Sequence, residues 1–307
     1  MQSSFHSNGK LLLTGEYMVL DGALALAVPS AYGQRLQIKD NSNKQLHWKS
    51  FNKDGNLWFT ADIDVDRLDQ TATDPVEEKL RKLLLSCVRL NPDFKEQLAG
   101  KEVQTHLEFP RDWGLGSSST LINNLAQWAA VNPFELLDLG FGGSGYDIAC
   151  AFSDGPISYR KNPDNSRTIT PVAIDWPFAD QLYFVHLNQK MDSKLGIQRY
   201  RSQNMPDPGV FSTLDHITEA LIKTTTKNEF DRLLNEHESI IARVIDQLRI
   251  QTTLFPDYQD GVIKSLGAWG GDFVMVSGNE KSPDYFKSKG FNTVIPFWDM
   301  LIKKPRS

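Results

Sequence analysis

The sequence predicts an α+β fold in which helices pack on antiparallel sheets. Polar and apolar residues alternate at 34–39, 44–51 and 56–60, and these segments end at Asn, Asp or Gly, as hairpin strands do. After Asp74, and again along 227–249, apolar residues recur at helical spacing. Sheet therefore dominates the first third of the chain, and helices are added to it further on.

The first half is predicted to supply sheet and then helix. Residues 10–13 form a short apolar strand that a glycine turn directs back toward 23–29. Asp74 and Pro75 mark a helix start, with Asp as the N-cap and Pro at the first helical position. Residues 103–109 alternate like a half-buried strand, and a glycine-serine loop then leads into an apolar helix near Leu121.

A second unit is predicted after a linker at 171–177. We place the domains at 1–175 and 176–307. The helix at 227–249 carries an apolar face from Phe230 to Leu248, which we expect to be core. The other predicted elements are a strand at 183–187, helices near 213–224 and 257–265, a glycine loop at 267–271 and a strand at 273–276.

The composition of the 307 residues excludes several classes of protein. Hydrophobic residues make up 40% of the chain, which argues against a disordered protein. The net charge is -5, whereas a general nucleic-acid binder is expected to be basic. Cys87 and Cys150 form no CxxC and the six histidines no HExxH or HxH, so neither a disulfide framework nor a thiolate or histidine metal site is predicted. No run of apolar residues approaches the length of about 20 that a membrane-spanning helix needs. The first residues lack the basic and then apolar pattern of a signal peptide. We expect a cytoplasmic monomer or homodimer with a small-molecule partner and with neither nucleic acid nor membrane.

The strongest local signal is Gly114-Leu-Gly-Ser-Ser-Ser119. Glycines let backbone amides turn toward an anion, the helix that follows presents unpaired N–H groups, and serine hydroxyls add donors or a Mg²⁺ ligand. This pattern predicts a phosphate loop; a flexible turn with a serine N-cap is the alternative. The sequence has neither GxxxxGK[ST] nor a GxGxxG opening a βαβ unit, which excludes a Walker loop and a Rossmann turn.

Two further segments accompany this loop. Residues 7–22 include Gly9-Lys10 and Gly15-Glu-Tyr17, and residues 264–272 include Gly267-Ala-Trp-Gly-Gly-Asp272. With these motifs in this order, the chain resembles the GHMP kinases, the superfamily of galactokinase, homoserine kinase, mevalonate kinase and phosphomevalonate kinase, over nearly its whole length.

Within the superfamily, Gly15-Glu-Tyr17, the segment Gly145-Tyr-Asp-Ile-Ala149 and the ending Gly-Gly-Asp272 look most similar to the phosphomevalonate kinase and mevalonate kinase branch. The resemblance implies a two-domain fold with an N-terminal ribosomal-protein-S5-like domain, a C-terminal ferredoxin-like domain, and nucleotide and acceptor in the cleft between them. Two departures are Asn8, where relatives commonly have Pro, and Trp269, where a small residue or Lys is usual.

The resemblance also implies a mechanism. Asp147 would accept or orient the proton of the acceptor hydroxyl, and Lys10 would lower the pKa of that hydroxyl and stabilise negative charge, as phosphoryl transfer requires. The alternatives are a solvated surface lysine and an N-cap for the helix at 148–151. ATP would be bound by the glycine-rich loops through Gly114, Leu115, Gly116, Ser117, Ser118, Ser119, Gly267, Ala268 and Gly270.

The resemblance also implies which residues bind the Mg²⁺ ion and the acceptor substrate. Ser118 is the predicted Mg²⁺ contact, and Glu135 and Asp138 remain open as the acidic ligand, because positions 121–146 are a short stretch for the family. A loop after the strand at 183–187 is expected to carry acceptor-binding cations, with solvated surface charges as the alternative. The predicted acceptor residues are Glu16, Tyr17, Gly145, Tyr146, Ser193, Lys194 and Arg199.

These motifs predict an ATP-dependent kinase that phosphorylates mevalonate 5-phosphate or mevalonate in isoprenoid precursor synthesis. Two alternatives stay open. One is a nucleotide-binding regulator that has lost catalysis on the same fold, and the other is a GHMP kinase for a different sugar or amino-alcohol acceptor.

Overall fold

The computed structural model describes residues 2–42 and 44–302, except for the side chain of Ser193. It is a mixed α+β structure, as the sequence predicts. Among the described residues, no helix combines the length and apolarity needed to cross a membrane. The strands are β1 (Ser3–Leu12), β2 (Ala25–Asp40), β3 (Leu46–Phe51), β4 (Leu57–Ile63), β5 (Lys101–Leu107), β6 (Ile157–Lys161), β7 (Arg167–Pro171), β8 (Leu182–His186), β9 (Ile263–Ser265), β10 (Phe273–Ser277) and β11 (Val294–Pro296).

The helices follow the capping signals in the sequence. The Asp74 side chain accepts hydrogen bonds from the first-turn amides of the helix that begins at Pro75, as predicted. The helices are α1 (Pro75–Leu90), α2 (Phe94–Leu98), α3 (Ser117–Ala129), α4 (Pro133–Gly140), α5 (Tyr146–Phe152), α6 (Ser193–Ser202), α7 (Pro208–Lys223), α8 (Lys227–Val244), α9 (Ile250–Leu254), α10 (Ser282–Ser288) and α11 (Phe297–Met300).

The chain divides into two compact units. Unit 1 contains the residues up to Gly9, Tyr32–Arg111 and Leu115–Phe152, and unit 2 contains Lys10–Ala31, Asp112–Gly114 and the residues from Ser153 on. Each unit contains several separate segments of the chain. The division into domains at 1–175 and 176–307 stays a prediction.

Unit 1 packs helices on one sheet. Its strands run in the order β4-β3-β5-β2, with β3 parallel to β5 and the other pairs antiparallel. Apolar side chains of the sheet, such as Trp48 and Val103, share one buried cluster with Leu84 of α1 and Leu125 of α3. The core therefore fixes the position of α3, which follows the glycine-serine loop.

Unit 2 contains two sets of strands. Residues Ala25–Ala27 of β2 pair with β6, which pairs with β7, and a separate antiparallel sheet has the order β11-β8-β10-β9. Around Trp176, aromatic rings of α8 and α11 form a cluster, with Phe230 at 4.7 Å and Phe297 at 5.4 Å between ring centroids.

Several predicted elements of unit 2 are wrong. No helix occupies 257–265; instead Ile263–Ser265 is strand β9, because its residues pair with Val274–Val276 of β10 and Gly261 packs tightly against the Ser277 backbone. Helix α8 ends at Val244, and Leu248 lies beyond it with 70% of its surface exposed, so Leu248 is not core. Helix α7 begins at Pro208 rather than near 213, because Asp207 caps it.

Candidate active site

The glycine-serine loop leads directly into α3. Gly116 stands at the N-cap with a φ of 86°, and no side chain caps this helix start. Gly114 also has a positive φ of 66°, which a residue with a side chain rarely adopts. Leu115 between them is fully buried and anchors the loop. The first-turn amides of α3 are thus presented without a capping side chain, as a helix start that binds an anion requires.

Two predicted site residues of unit 1 meet at this helix start. The Ser119 hydroxyl donates a short hydrogen bond to Asp147 Oδ2. Asp147 lies in the first turn of α5, and its Oδ1 accepts a hydrogen bond of 3.0 Å from the Ile148 amide. The turn before it needs glycine, because Gly145 has a φ of 91°. Asp147 is therefore held by Ser119, which is buried, while its own side chain stays partly exposed.

The predicted metal residues are exposed oxygen donors. Ser118 is exposed in the first turn of α3, and Glu135 is exposed in the first turn of α4. In the described part of the chain, no three His, Cys, Asp or Glu side chains are grouped to hold a metal ion. A nucleotide-bound Mg²⁺ does not need such a group, because phosphates and waters supply most of its ligands. A hydroxyl at an uncapped helix start fits that chemistry.

Lys10 lies with the first glycine of the loop in unit 2. Its Nζ donates a hydrogen bond of 2.8 Å to the Gly114 carbonyl. Lys10 is only half-buried although its strand, β1, enters the core at Leu11. The side chain is consequently ordered by the loop rather than extended into solvent, which disfavours the alternative of an ordinary surface lysine.

Glu16 is buried, with 1% of its surface exposed. Its Oε1 accepts a short hydrogen bond from Lys264 Nζ, and Lys264 is itself fully buried. Burial raises the pKa of Glu16, and the Lys264 charge acts in the opposite direction. The predicted acceptor residue Glu16 is thus engaged in an interior ion pair.

Helix α8 adds two titratable side chains to this ion pair. His237 Nε2 accepts a hydrogen bond of 2.9 Å from the Gly15 amide, and Glu238 Oε1 accepts one of 3.1 Å from the Ser265 amide. Burial lowers the pKa of His237 well below its usual value, and Lys264 adds to this effect. Burial raises the pKa of Glu238 to about 7. We name Glu16, His237, Glu238 and Lys264 the buried ionic cluster.

Tyr17 connects the first motif to the third. Its backbone has a φ of 61°, and its hydroxyl accepts a hydrogen bond of 2.8 Å from the Trp269 amide. Burial raises the pKa of Tyr17. The Trp269 indole donates a hydrogen bond to the Leu248 carbonyl at 3.0 Å. In this loop Gly267 and Gly270 adopt positive φ, and Ala268 is buried.

The predicted acceptor cations lie on a helix, not on a loop. Asp192 caps α6 by accepting a hydrogen bond of 2.9 Å from the Lys194 amide. Lys194 and Arg199 are both exposed. The positive charge of Arg199 lowers the pKa of Tyr17, against the larger effect of burial. The side chain of Ser193 lies outside the described residues. Tyr146 is half-buried in the first turn of α5.

Sequence reasoning missed the α8 part of the buried ionic cluster. A periodic signal was available, since His237 and Glu238 follow Leu233 and Leu234 by four residues and precede Ile241 on the same buried face. Polar residues at core positions of an amphipathic helix indicate buried partners. Asp272 was also missed as a site residue, although it ends the third motif.

The chain matches no family model and no curated protein. Solved structures are similar to it over nearly their whole length. Streptococcus pneumoniae phosphomevalonate kinase in complex with phosphomevalonate and AMPPNP is 17% identical, with a TM-score of 0.70 over 94% of this chain and 95% of that one. Methanococcus jannaschii mevalonate kinase is 14% identical, with a TM-score of 0.66 over 96% of each chain.

A third similar structure is Lactococcus lactis galactokinase complexed with galactose, which is 14% identical, with a TM-score of 0.63 over 94% of this chain and 89% of that one. At these identities the likeness establishes the fold. The chain therefore has the GHMP kinase fold, and the resemblance carried by its three motifs is confirmed at the level of the fold.

Proposed function

We propose that this protein is an ATP-dependent small-molecule kinase that transfers the γ-phosphoryl group to an alcohol, with mevalonate 5-phosphate as the first acceptor to test and mevalonate as the second. The observation that carries the proposal is the hydrogen bond from Ser119 to Asp147 at the uncapped start of α3. It fixes a carboxylate beside a helix start that is suited to phosphate.

Each group has a role that its surroundings support. The first-turn amides of α3 bind phosphate oxygens, because their N–H groups and the helix dipole favour an anion. The Asp147 carboxylate is partly exposed, and it takes the proton from the hydroxyl of the substrate that receives the phosphoryl group. Lys10, ordered on the Gly114 carbonyl, stabilises negative charge. Mg²⁺, when bound through Ser118, neutralises charge on the phosphates.

A phosphorylated acceptor is favoured by the cations of α6. The phosphate of such an acceptor carries about two negative charges, which need cationic partners when they leave water. Arg199 supplies one near Tyr17, a residue of the first motif. Phosphomevalonate, which the Streptococcus pneumoniae complex contains, carries such a phosphate, and we therefore place its class first.

A nucleotide-binding regulator without catalysis is the second candidate. It would need the helix start but neither Asp147 nor Lys10 in an ordered position. The two residues are both held by specific hydrogen bonds, and this favours the enzyme.

The deciding experiment is a panel of acceptors with ATP and Mg²⁺, in which products are identified by mass. It compares the wild type with Asp147→Asn and with Glu96→Gln, which removes an exposed carboxylate of α2. Asn keeps the shape and can still hydrogen-bond with Ser119 but cannot take a proton, so we expect kcat to fall roughly 10²–10⁴-fold with little change in ATP affinity. Equal turnover in wild type and Asp147→Asn would remove the role of Asp147. Nucleotide binding without any product would favour the regulator.

A further inference from the structure

Asp272 is a nearly buried carboxylate at the end of the third motif, with 7% of its surface exposed. Its backbone is fixed on both sides, since its N–H donates to the Gln189 carbonyl at 2.9 Å and its own carbonyl accepts from the Leu187 amide at 2.8 Å. Its φ of 53° is left-handed, a conformation that Asp and Asn tolerate better than other residues with side chains. These contacts therefore fix the backbone from which the carboxylate extends.

This carboxylate lies directly against the first glycine of the phosphate loop. A Cβ at Gly114 would stand 2.2 Å from Asp272 Oδ2, a distance that no real Cβ contact reaches. A side chain at Gly114 would therefore displace this carboxylate, besides straining the positive φ. The carbonyl of the same glycine accepts the hydrogen bond from Lys10 Nζ. Asp272, Gly114 and Lys10 form one packed group within unit 2.

Charge links Asp272 to Lys10 in addition to the contact that each of them makes with Gly114. Asp272 Oδ1 has no hydrogen-bond partner among the described residues, so burial makes its negative charge costly. Burial raises the pKa of Asp272, and the groups that act against this effect are the charges of Lys10, Lys190 and His186 and the Met191 amide, with Lys10 first among the charges. Among the described cations, Lys10 is the one whose charge lowers the pKa of Asp272 the most.

We propose that Asp272 is a positioning residue for the phosphoryl transfer, which holds the Lys10 ammonium and the Gly114 end of the phosphate loop in one arrangement. The effect of Asp272 on catalysis rests on the proposed function, in which Lys10 stabilises negative charge. The packing of Asp272 and of Lys10 against Gly114 does not depend on it. Asp272 acts through Lys10 and needs no contact with substrate.

The test measures Lys10 itself. Competitive acetylation with mass-spectrometric readout gives the pH midpoint of the Lys10 amine in wild type, in Asp272→Asn and in Glu219→Gln. Asn suits the left-handed backbone, and Glu219 is an exposed carboxylate of α7 in the same unit. A nearby carboxylate favours the charged amine, so we expect the midpoint to be lower by about 1 on the pH scale in Asp272→Asn and to stay unchanged in the control. The alkaline limb of the kcat profile should move to lower pH with it.

A second variant covers the case in which Asp272→Asn does not fold. Lys10→Met removes the cation and should raise the midpoint of the Asp272 carboxyl, followed by carbon-13 NMR. The proposal would be overturned if neither the Lys10 midpoint in Asp272→Asn nor the Asp272 midpoint in Lys10→Met moved. It would also be overturned if the Lys10 midpoint moved but the pH profile of kcat in an active enzyme did not. If the wild type phosphorylates no acceptor, the proposed function fails, while the two midpoints still decide whether Asp272 holds Lys10.

Discussion

The Lys264 ammonium contacts the Glu16 carboxylate where neither side chain reaches solvent, with 0% and 1% of their surfaces exposed. Glu238 Oε2 lies 4.0 Å from the same ammonium, and His237 Nε2 lies 3.7 Å from Glu16 Oε2. One cation therefore serves two carboxylates. Because Glu16 precedes Tyr17, whose hydroxyl accepts from Trp269, the cluster sets the position of the first motif relative to the glycine loop at 267–271.

Removal of the single cation should be costly. Lys264→Met leaves two buried carboxylates without their ammonium, and we expect a loss of about 3–5 kcal/mol in the free energy of unfolding. The double variant Lys264→Met with Glu16→Gln should lose less than Lys264→Met alone, because one stranded charge is gone. Urea unfolding measures both. As a control, Lys289→Met breaks an exposed pair with Asp257 and should cost at most about 1 kcal/mol.

The buried ionic cluster also predicts a pH dependence of stability. Glu238 has a pKa of about 7 in the folded protein, against 4.5 when exposed, so the folded state binds more protons between these values. The contribution of Glu238 to stability is complete below pH 4.5 and is lost as pH rises through 7. A tenfold difference in proton affinity between the folded and unfolded states corresponds to about 1.4 kcal/mol.

Glu238→Gln isolates this contribution, because Gln can still accept from the Ser265 amide but does not titrate. We expect its free energy of unfolding to rise relative to wild type as pH increases from 5 to 8. His237 titrates in the opposite sense: its lowered pKa costs stability as pH falls below 6.5, in the wild type and in this variant alike. A wild-type minus variant difference that does not change with pH would contradict the assignment.

The fold was predictable where local signals agreed with the packing. Asp74-Pro75 starts α1 as predicted, and the glycine-serine loop leads into α3. The helix predicted at 257–265 was wrong because the signal there is not local: Ile263–Ser265 becomes a strand by pairing with β10, which follows only after the glycine loop.

The site was predictable only in part, for a similar reason. Motifs pointed to Lys10, Ser119 and Asp147, but no pattern along the chain indicates that Ser119 donates to Asp147, 28 positions away. The pairing of Lys264 with Glu16, 248 positions apart, is equally invisible in the sequence. Such contacts arise from the tertiary fold, which brings distant segments together.

Two neighbouring serines should have separable effects. Ser119→Ala removes the hydroxyl that holds Asp147, and because one hydrogen bond to a charged group contributes about 1.5–3 kcal/mol, kcat should fall roughly tenfold or more with the KM for ATP nearly unchanged. Ser118→Ala removes an exposed hydroxyl instead, and should raise the Mg²⁺ concentration needed for half-maximal turnover. Steady-state kinetics across a Mg²⁺ titration measures both. Identical responses of the two variants would contradict the division of roles.

The acceptor cations can be tested on one helix. The positive charge of Arg199 lowers the pKa of Tyr17, against the larger effect of burial. Helix α6 also packs closely on Tyr17, since a Cβ at Gly196 would stand 2.7 Å from the Tyr17 hydroxyl oxygen. Arg199→Ala should therefore raise the KM for mevalonate 5-phosphate at least tenfold, about 1.4 kcal/mol, with little change in the KM for ATP. Lys194→Ala, in the first turn, is predicted to act in the same direction.

Arg201→Ala is the matched control for Arg199→Ala. Arg201 lies on the same helix, but its guanidinium already pairs with Asp21 at 2.7 Å, and its side chain is exposed enough that the pair contributes little to stability. We expect the KM for mevalonate 5-phosphate to stay within about twofold of wild type in this variant. Efficient turnover of mevalonate with none of its 5-phosphate would overturn the phosphorylated acceptor and leave the kinase proposal in place, because only the former depends on these cations.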